Sequence, residues 1–442
     1  MRVLILAYDF PPYVSVGGLR PYSWYRYLKE FGVEPVVVTR QWANDHGDER
    51  DYIAPSATDR VEVERTEFGT IVRAPHRPNL SERLLLRHGP GRHRLLRKTV
   101  TAWYEVGQYF ADVGPKSELV RAARAYFREH GADVIIATGN PYVLFRYASE
   151  LSREFGVPWV ADYRDPWSQD HRQSRHRIVR SWLRTIERRI VSSAAAVTAA
   201  NTTFRDLLAT MHTSTTLAVI PNGYDPEAVA AAAGVAQDPE RLTLAYTGST
   251  YGWHPIESVL REIDGLNATR PRAPIHLRMI GVGGRDGVER MLRTRFPALC
   301  PRVSFTPRLP NDRMAAELAR AHAFVAFNNY AYPGTKIYDY MALRRRILLC
   351  YSDDPEAMRL KELHYNIAAT PGTDERTHAR LIEATGSGTV VRDAPHLRQI
   401  LEDLHREFTE NRSIACRSTG IERFSRRTQA GLLADVLQRL VR

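Results

Sequence analysis

Val3-Leu4-Ile5-Leu6-Ala7 opens the chain, and Tyr8-Asp9-Phe10-Pro11-Pro12-Tyr13-Val14-Ser15-Val16-Gly17-Gly18-Leu19-Arg20 follows it. An apolar run this short is no signal peptide, and a membrane-spanning helix needs about 20 such residues. An unbroken apolar run of this length reads instead as a strand buried on both faces, as in a parallel sheet. Gly17-Gly18 then stands where a helix begins, over Leu19 to Phe31. Strand, glycine turn and helix make up the repeating unit of a doubly wound α/β domain.

The unit recurs along the chain. Pro35–Thr39, Val134–Ala137, Pro158–Ala161 and Ala195–Ala199 are further apolar runs, with helix-length segments such as Glu118–His130 and Tyr142–Phe155 between them. A second series starts after Asp225, with Leu242–Tyr246, Ile275–Ile280, Val303–Phe305, Phe324–Phe327 and Ile347–Cys350. The segment between the two series, Asp225 to Pro239, is rich in alanine and bounded by prolines, as a domain link is. A chain of 442 residues also exceeds one ordinary core. From His396 to Arg442 the periodicity is helical, and Leu432, Leu433, Val436, Leu437 and Leu440 form the apolar stripe of a last helix.

Composition narrows the function classes. An apolar fraction of 43% with 25% charged residues excludes a disordered or fibrous chain. Three scattered cysteines make neither a disulfide framework nor a zinc pattern, which fits a reduced, cytoplasmic setting. The net charge of +12 concentrates in Arg83–Lys98 and His171–Arg189. Neither stretch carries the spaced aromatics or groove-reading motif of a nucleic-acid surface, so no nucleic-acid partner is expected. A solvated cationic face and an anionic membrane surface both remain open. Ile178, Val179, Trp182, Ile186 and Ile190 recur at helical spacing and predict a packed helix with a basic outer face.

Ligands of doubly wound sheets bind beyond the carboxyl ends of the strands, so the residues following each run carry the chemistry. Gly17-Gly18 at a helix start can turn backbone N–H groups toward phosphate, with Arg20 adding charge; a plain strand-to-helix turn explains them equally. Asp162-Tyr163-Arg164-Asp165-Pro166-Trp167 is dense in charge at the mouth of a buried strand. It is either an ion pair fixing the loop or a catalytic, acceptor-binding group in which Asp162 or Asp165 orients or deprotonates a hydroxyl beside Arg164. Asn140 and Tyr13 are placed to line the same acceptor side. Thr247-Gly248-Ser249 and Gly281 are small residues in turns after strands, where phosphate or sugar can approach the backbone. No GxGxxG fingerprint follows any strand, which argues against a nicotinamide or flavin cofactor.

The most informative segment is Tyr332-Pro333-Gly334-Thr335-Lys336-Ile337-Tyr338-Asp339-Tyr340-Met341-Ala342. Gly334 and Thr335 before a helix offer N–H groups and a hydroxyl to an anion, Lys336 a neutralising charge, and Asp339 a carboxylate one turn on for paired ribose hydroxyls. Ile337 belongs to the same donor-binding run.

With Phe10-Pro11-Pro12, Gly17-Gly18, Asp162–Trp167, Pro221–Asp225, Thr247–Ser249 and above all Thr335–Ala342, the chain resembles glycosyltransferase family 4 in its bacterial polysaccharide branch. The resemblance implies the GT-B fold: α/β, two Rossmann-like domains with parallel sheets facing a central cleft. The domains expected are 1–225 for the acceptor, 226–425 for the nucleotide sugar, and a helix at 426–442 crossing back to brace the first. It implies a metal-independent hexosyl- or glycosyltransferase with no cofactor. Such an enzyme moves a sugar from a nucleoside diphosphate sugar to a glycan, lipid-linked or small-molecule acceptor, usually with retention. The first acid of the family's Glu-x(7)-Glu pair falls on Ala331, the second on Asp339. The Arg and Lys that the family carries after the first strand of its second domain are also absent. Lys336 and Arg20 are the expected substitutes. A sugar-nucleotide epimerase, another GT-B enzyme or a degenerate non-catalytic member is the alternative.

Overall fold

The computed structural model describes residues 1–13, 15–42, 50–169, 177–213, 215–307, 309, 311–330, 334–365 and 374–441. Two compact units divide them, one of Met1–Asn222 with Arg426–Arg442, the other of Gly223–Ser425.

In the first unit the strands are β1 (Arg2–Leu6), β2 (Glu34–Arg40), β3 (Glu62–Arg65), β4 (Thr70–Ala74), β5 (Val134–Gly139), β6 (Trp159–Tyr163), β7 (Ala196–Ala199) and β8 (Thr216–Val219). Among the described residues they form one sheet in the order β3-β4-β2-β1-β5-β6-β7-β8. Every pair is parallel except β3 with β4. The apolar runs read from the sequence are its central strands. Val3 to Leu6 and Val134 to Ala137 are wholly buried, as strands covered on both faces must be. The sequence reading passed over β3, β4 and β8. β3 is Glu-Val-Glu-Arg, exposed at every residue, and a charged antiparallel edge of this kind gives no apolar run and resists pairing with other chains.

The second unit carries β9 (Thr243–Thr247), β10 (His276–Ile280), β11 (Val303–Thr306), β12 (Ala323–Phe327), β13 (Arg346–Cys350) and β14 (Gly388–Val391), all parallel. Their order is β11-β10-β9-β12-β13-β14. This is the doubly wound arrangement of a Rossmann domain, with the direction of winding reversing between β9 and β12. The helices Ile256–Thr269 and Ala394–Asn411 cover one face through Leu260, Ile263, Leu401 and Leu404, all fully buried. The helices Lys336–Ala342 and Thr377–Thr385 contribute to a second apolar cluster, through Met341 and Ile382. The fold class read from the sequence is therefore what the chain adopts.

The last helix, Arg426–Val441, packs on the first unit and shares its core. Ala430, Leu433, Ala434 and Leu437 meet Trp24, Leu28 and Val33 there. A Cβ on Gly431 would come within 2.9 Å of the Phe31 ring, so glycine permits this close approach. The stripe is rotated from the one expected, since Leu432 is 42% exposed. A larger correction concerns the helix Arg177–Val191. It buries Leu183, Glu187 and Val191, while Ile178 and Val179 are 73% and 45% exposed. The preceding basic residues, 171–176, lie outside the described residues.

One polar network ties three neighbouring strands of the first sheet to the helix that follows β1. Asp162, at the end of β6, is fully buried. It accepts from Arg20 Nη2 at 2.7 Å and Nε at 3.0 Å, from Thr138 Oγ1 on β5 at 2.8 Å, and from Thr198 Oγ1 on β7 at 2.6 Å. Arg20 Nη1 also donates to the Ile220 carbonyl at 2.7 Å. Four segments are thereby pinned to one carboxylate. Removing one member of such a pair strands a buried charge. Asp162→Ala should cost about 3–5 kcal/mol in urea unfolding of the full chain, with Asp162→Asn losing clearly less. Equal stability of Asp162→Ala and the unaltered chain would refute this role.

Candidate functional site

The winding reversal between β9 and β12 opens a crevice at the carboxyl ends of the second sheet, where open α/β sheets bind ligands. Four segments of the second unit converge there. Thr247-Gly248-Ser249-Thr250 leaves β9, Gly281 to Gly284 leaves β10, Asn328 to Tyr330 leaves β12, and Gly334 leads into the helix Lys336–Ala342.

That helix reaches across to β9 with two side chains one turn apart, and residues at i and i+4 share a helix face. Lys336 Nζ donates to the Thr247 carbonyl at 2.9 Å. The Tyr340 hydroxyl accepts from the Thr247 N–H at 2.9 Å and shares a second bond with Thr247 Oγ1 at 2.9 Å. The Tyr340 ring is itself fixed by stacking on Phe324 of β12, with centroids 4.2 Å apart. The sequence reading quoted Tyr340 within this segment and gave it no role of its own.

Gly248 has φ +84°, a left-handed backbone that favours glycine. A Cβ there would also overlap Lys336 Nζ, so the lysine lies directly on the turn. Only one of the three ammonium protons meets a protein acceptor among the described residues. Lys336 is exposed as a residue, but its ammonium end is crowded against the turn. Burial of that end lowers the pKa to about 8, and Asp339 acts in the opposite direction. Gly281, at φ +59°, donates its N–H to Thr306 at 2.9 Å, and Ser249 abuts Gly283.

The rest of the predicted segment divides. Asp339 is half-buried one turn into the helix. Ile337 is buried in the core, so its side chain serves packing. The Thr335 side chain makes no capping bond, and the helix behind it is seven residues long. Its dipole is correspondingly small, which shifts the neutralising of an anion onto Lys336. Residues 331–333, including Ala331, lie outside the described residues. Beside the crevice, His254 Nε2 lies 3.4 Å from Asn329 Oδ1 and its ring stacks on Phe327. Burial holds its pKa down at about 4, so it is a neutral support near pH 7.

In the first unit the winding reverses between β1 and β5. The Gly17 N–H is taken by the Ser15 hydroxyl at 3.0 Å and the Gly18 N–H by the Ser15 carbonyl at 3.1 Å. The two N–H groups expected to face phosphate are thus spent on capping the helix. Arg20 and Asp162 are likewise corrected, since each is buried and spends its charge on the other inside the network. What the structure gathers at this edge is Asp9, Ser15, Gly17, Arg164 and Asp165. A Cβ on Gly17 would strike the Arg164 guanidinium and stand 2.7 Å from Asp9 Oδ2. Arg164 Nε lies 3.8 Å from Asp165 Oδ2. Asp9 Oδ2 accepts from Ser15 Oγ at 2.7 Å, while Oδ1 is buried with no hydrogen-bond partner among the described residues. Burial raises the Asp9 pKa, with Arg164 opposing. The sequence reading quoted Asp9 and gave it no role. Tyr142 donates to the Asp165 carbonyl at 2.8 Å and stacks on Trp167, which sets the loop. Asn140 is exposed nearby in sequence at the end of β5, whereas Tyr13 lies flat on Trp42, with centroids 3.8 Å apart. Among the described residues no cluster of three or more His, Cys, Asp or Glu side chains could hold a metal ion.

Residues 17–223 match the family model of the glycosyl transferase 4-like domain. No curated protein matches the chain. Sucrose-phosphate synthase from Thermosynechococcus elongatus is similar in structure, with a TM-score of 0.63 at 15% identity over 99% of this chain and 98% of that one. An α,α-trehalose-phosphate synthase from Burkholderia xenovorans, solved with glucose-6-phosphate, gives 0.54 at 13% identity over 99% of each chain. Anabaena HepE, solved with UDP-glucose, gives 0.52 at 14% identity over 99% of this chain and 100% of that one. The chain therefore has the GT-B fold, and its residues 17–223 match the glycosyl transferase 4-like domain.

Proposed function

We propose that the chain transfers a sugar from a nucleoside diphosphate sugar to a hydroxyl of a glycan, lipid-linked or small-molecule acceptor, with retention at the anomeric carbon. The observation that carries this reading is Lys336, whose ammonium lies on the Thr247-Gly248 turn with donors to spare. The UDP-glucose held by HepE, a protein of the same fold, supports a sugar nucleotide as the donor. The second unit binds that donor through Thr247, Gly248, Ser249, Gly281, Gly334, Thr335 and Lys336, with Asp339 accepting from ribose hydroxyls. The first unit supplies the acceptor side through Asp9, Asn140, Arg164 and Asp165.

In the transfer, the bond from C1 to the diphosphate oxygen breaks, the acceptor oxygen bonds to C1 on the face the diphosphate leaves, and the hydroxyl proton passes to the departing diphosphate oxygen. Charge grows on the departing diphosphate, and a fixed ammonium with nearby backbone N–H groups meets it without reorganising. The reaction needs no cofactor and no metal, so a chelator should leave the rate unchanged. No helix among the described residues is long and apolar enough to cross a membrane. The enzyme works in the cytoplasm, peripherally at the inner face of the plasma membrane when its acceptor is lipid-linked.

Thermal shift against UDP-, GDP- and dTDP-sugars identifies the donor, because a ligand specific to the folded state raises the melting temperature. Asp339→Ala should weaken that donor by about 1–3 kcal/mol in calorimetry. Unchanged affinity for every nucleotide sugar would remove Asp339 from the site. Affinity should also depend on pH in one direction. Lys336 is charged below about 8 and neutral above it, so binding is strongest below that pH and falls as pH rises through it. Lys336→Gln should bind weakly and lose that pH dependence. Product analysis with and without an acceptor separates transfer from epimerisation, which needs no acceptor.

A further inference from the structure

The helix Arg94–Gly107 is turned the wrong way round for a helix on a protein surface. It has no buried residue, although it is strongly amphipathic. A surface helix ordinarily sets its apolar stripe on the core. Here Arg97, Thr101, Tyr104 and Gln108 face inward and line a cavity of about 620 Å³ with Tyr8 and Lys116 on its other walls. The helix is tied to its partner, Leu80–His88, by polar bonds on that inner side. Ser81 Oγ shares a bond with Thr101 Oγ1 at 2.8 Å and donates to the Arg97 carbonyl at 3.2 Å.

The apolar stripe points away from the protein. Leu95 is 81% exposed, Leu96 48%, Trp103 60%, Val106 46% and Phe110 65%. Such side chains together exceed what a surface leaves uncovered without a use. The patch does not end with the hairpin. Phe110 lies against Trp182, with ring centroids 6.5 Å apart, and so joins the helix Arg177–Val191, where Ile178 and Val179 are exposed as well. The apolar side chains that follow the first cationic stretch of the sequence therefore adjoin those within the second. Around that junction Arg83, Arg87 and Arg92 on the hairpin and Arg177 and Arg184 on the second helix are exposed, while Arg94 and Lys98 line the cavity.

We propose that this surface of the first unit seats on an anionic lipid bilayer, with the Leu95–Phe110 stripe in the headgroup and acyl boundary and the arginines against lipid phosphates. The occupant follows from charge complementarity. Apolar side chains ringed by cations, on a helix lying flat, match an interface that is apolar beneath and negative at its surface. A second copy of this chain would bring the same cations face to face. The inference rests on the peripheral location proposed above and names the surface responsible.

The test is flotation of the full chain, without nucleotide, with vesicles of phosphatidylglycerol and phosphatidylcholine against pure phosphatidylcholine. Binding is expected only to the anionic vesicles and should weaken as ionic strength rises. Leu96→Glu with Trp103→Glu should lower the partition at least about tenfold, as should Arg83→Gln with Arg87→Gln and Arg92→Gln at about fivefold per cation removed. All five side chains are exposed, so these variants should keep the parent melting temperature. Equal binding to neutral vesicles, no binding to either, or a dimer that Trp103→Glu dissociates would each overturn the proposal. Donor binding measured without vesicles reads the sugar-transfer function separately, so the two can fail independently.

Discussion

A strand running parallel to its neighbour is reached only by a crossover that returns the chain to the end of the sheet where the previous strand began. Nearly everything in this protein depends on that constraint. It sends the carboxyl ends of β9, β10 and β12 to one edge, where Gly248, Gly281 and Asn328 would otherwise be scattered over some eighty residues of sequence. It does the same for Asp9, Asn140 and Asp165 on the first sheet. The apolar runs that build the strands and the polar turns that follow them are thus one design. The runs must be buried on both faces, so polar chemistry is confined to the ends.

Within this framework, cations of similar appearance in sequence take on different work. Arg20 is enclosed by Asp162 and the Ile220 carbonyl, and its planar fork meets the carboxylate with two donors. The same carboxylate also takes hydroxyls from both neighbouring strands. Such a group is a clasp, buried and occupied on several sides by the protein itself. Lys336 is held on one side only, by a single carbonyl. A point charge on a flexible stem with donors in reserve is suited to an anion that comes and goes. The contrast between a saturated and an unsaturated cation separates structural from functional charge here.

The site was legible in sequence to the extent that it is local. Gly334, Thr335, Lys336 and Asp339 lie within six residues, and their types already describe an anion beside a carboxylate. Tyr340 escaped because its hydroxyl works on Thr247, 93 residues away, and nothing near Tyr340 distinguishes it from a core tyrosine. Asp9 escaped for a related reason. Its burial and its position beside Arg164 come from two strands that are far apart in sequence and separated only by β5 in the sheet. Ile337 was read too generously, since a residue inside a motif can still belong to the core.

Sequence alone settled the two series of buried strands, the doubly wound class and the segment to inspect for a nucleotide. Burial on both faces and the turn after each strand are written in consecutive residues. Only the tertiary structure decided which charges are spent. It paired Arg20 with Asp162 across 142 positions, put Lys336 on Gly248, and turned the Arg94–Gly107 helix with its apolar stripe outward. Helical periodicity shows that such a stripe exists and is silent on which way it faces. The facing depends on what lies opposite, and the neighbours are supplied by the packing of the whole unit.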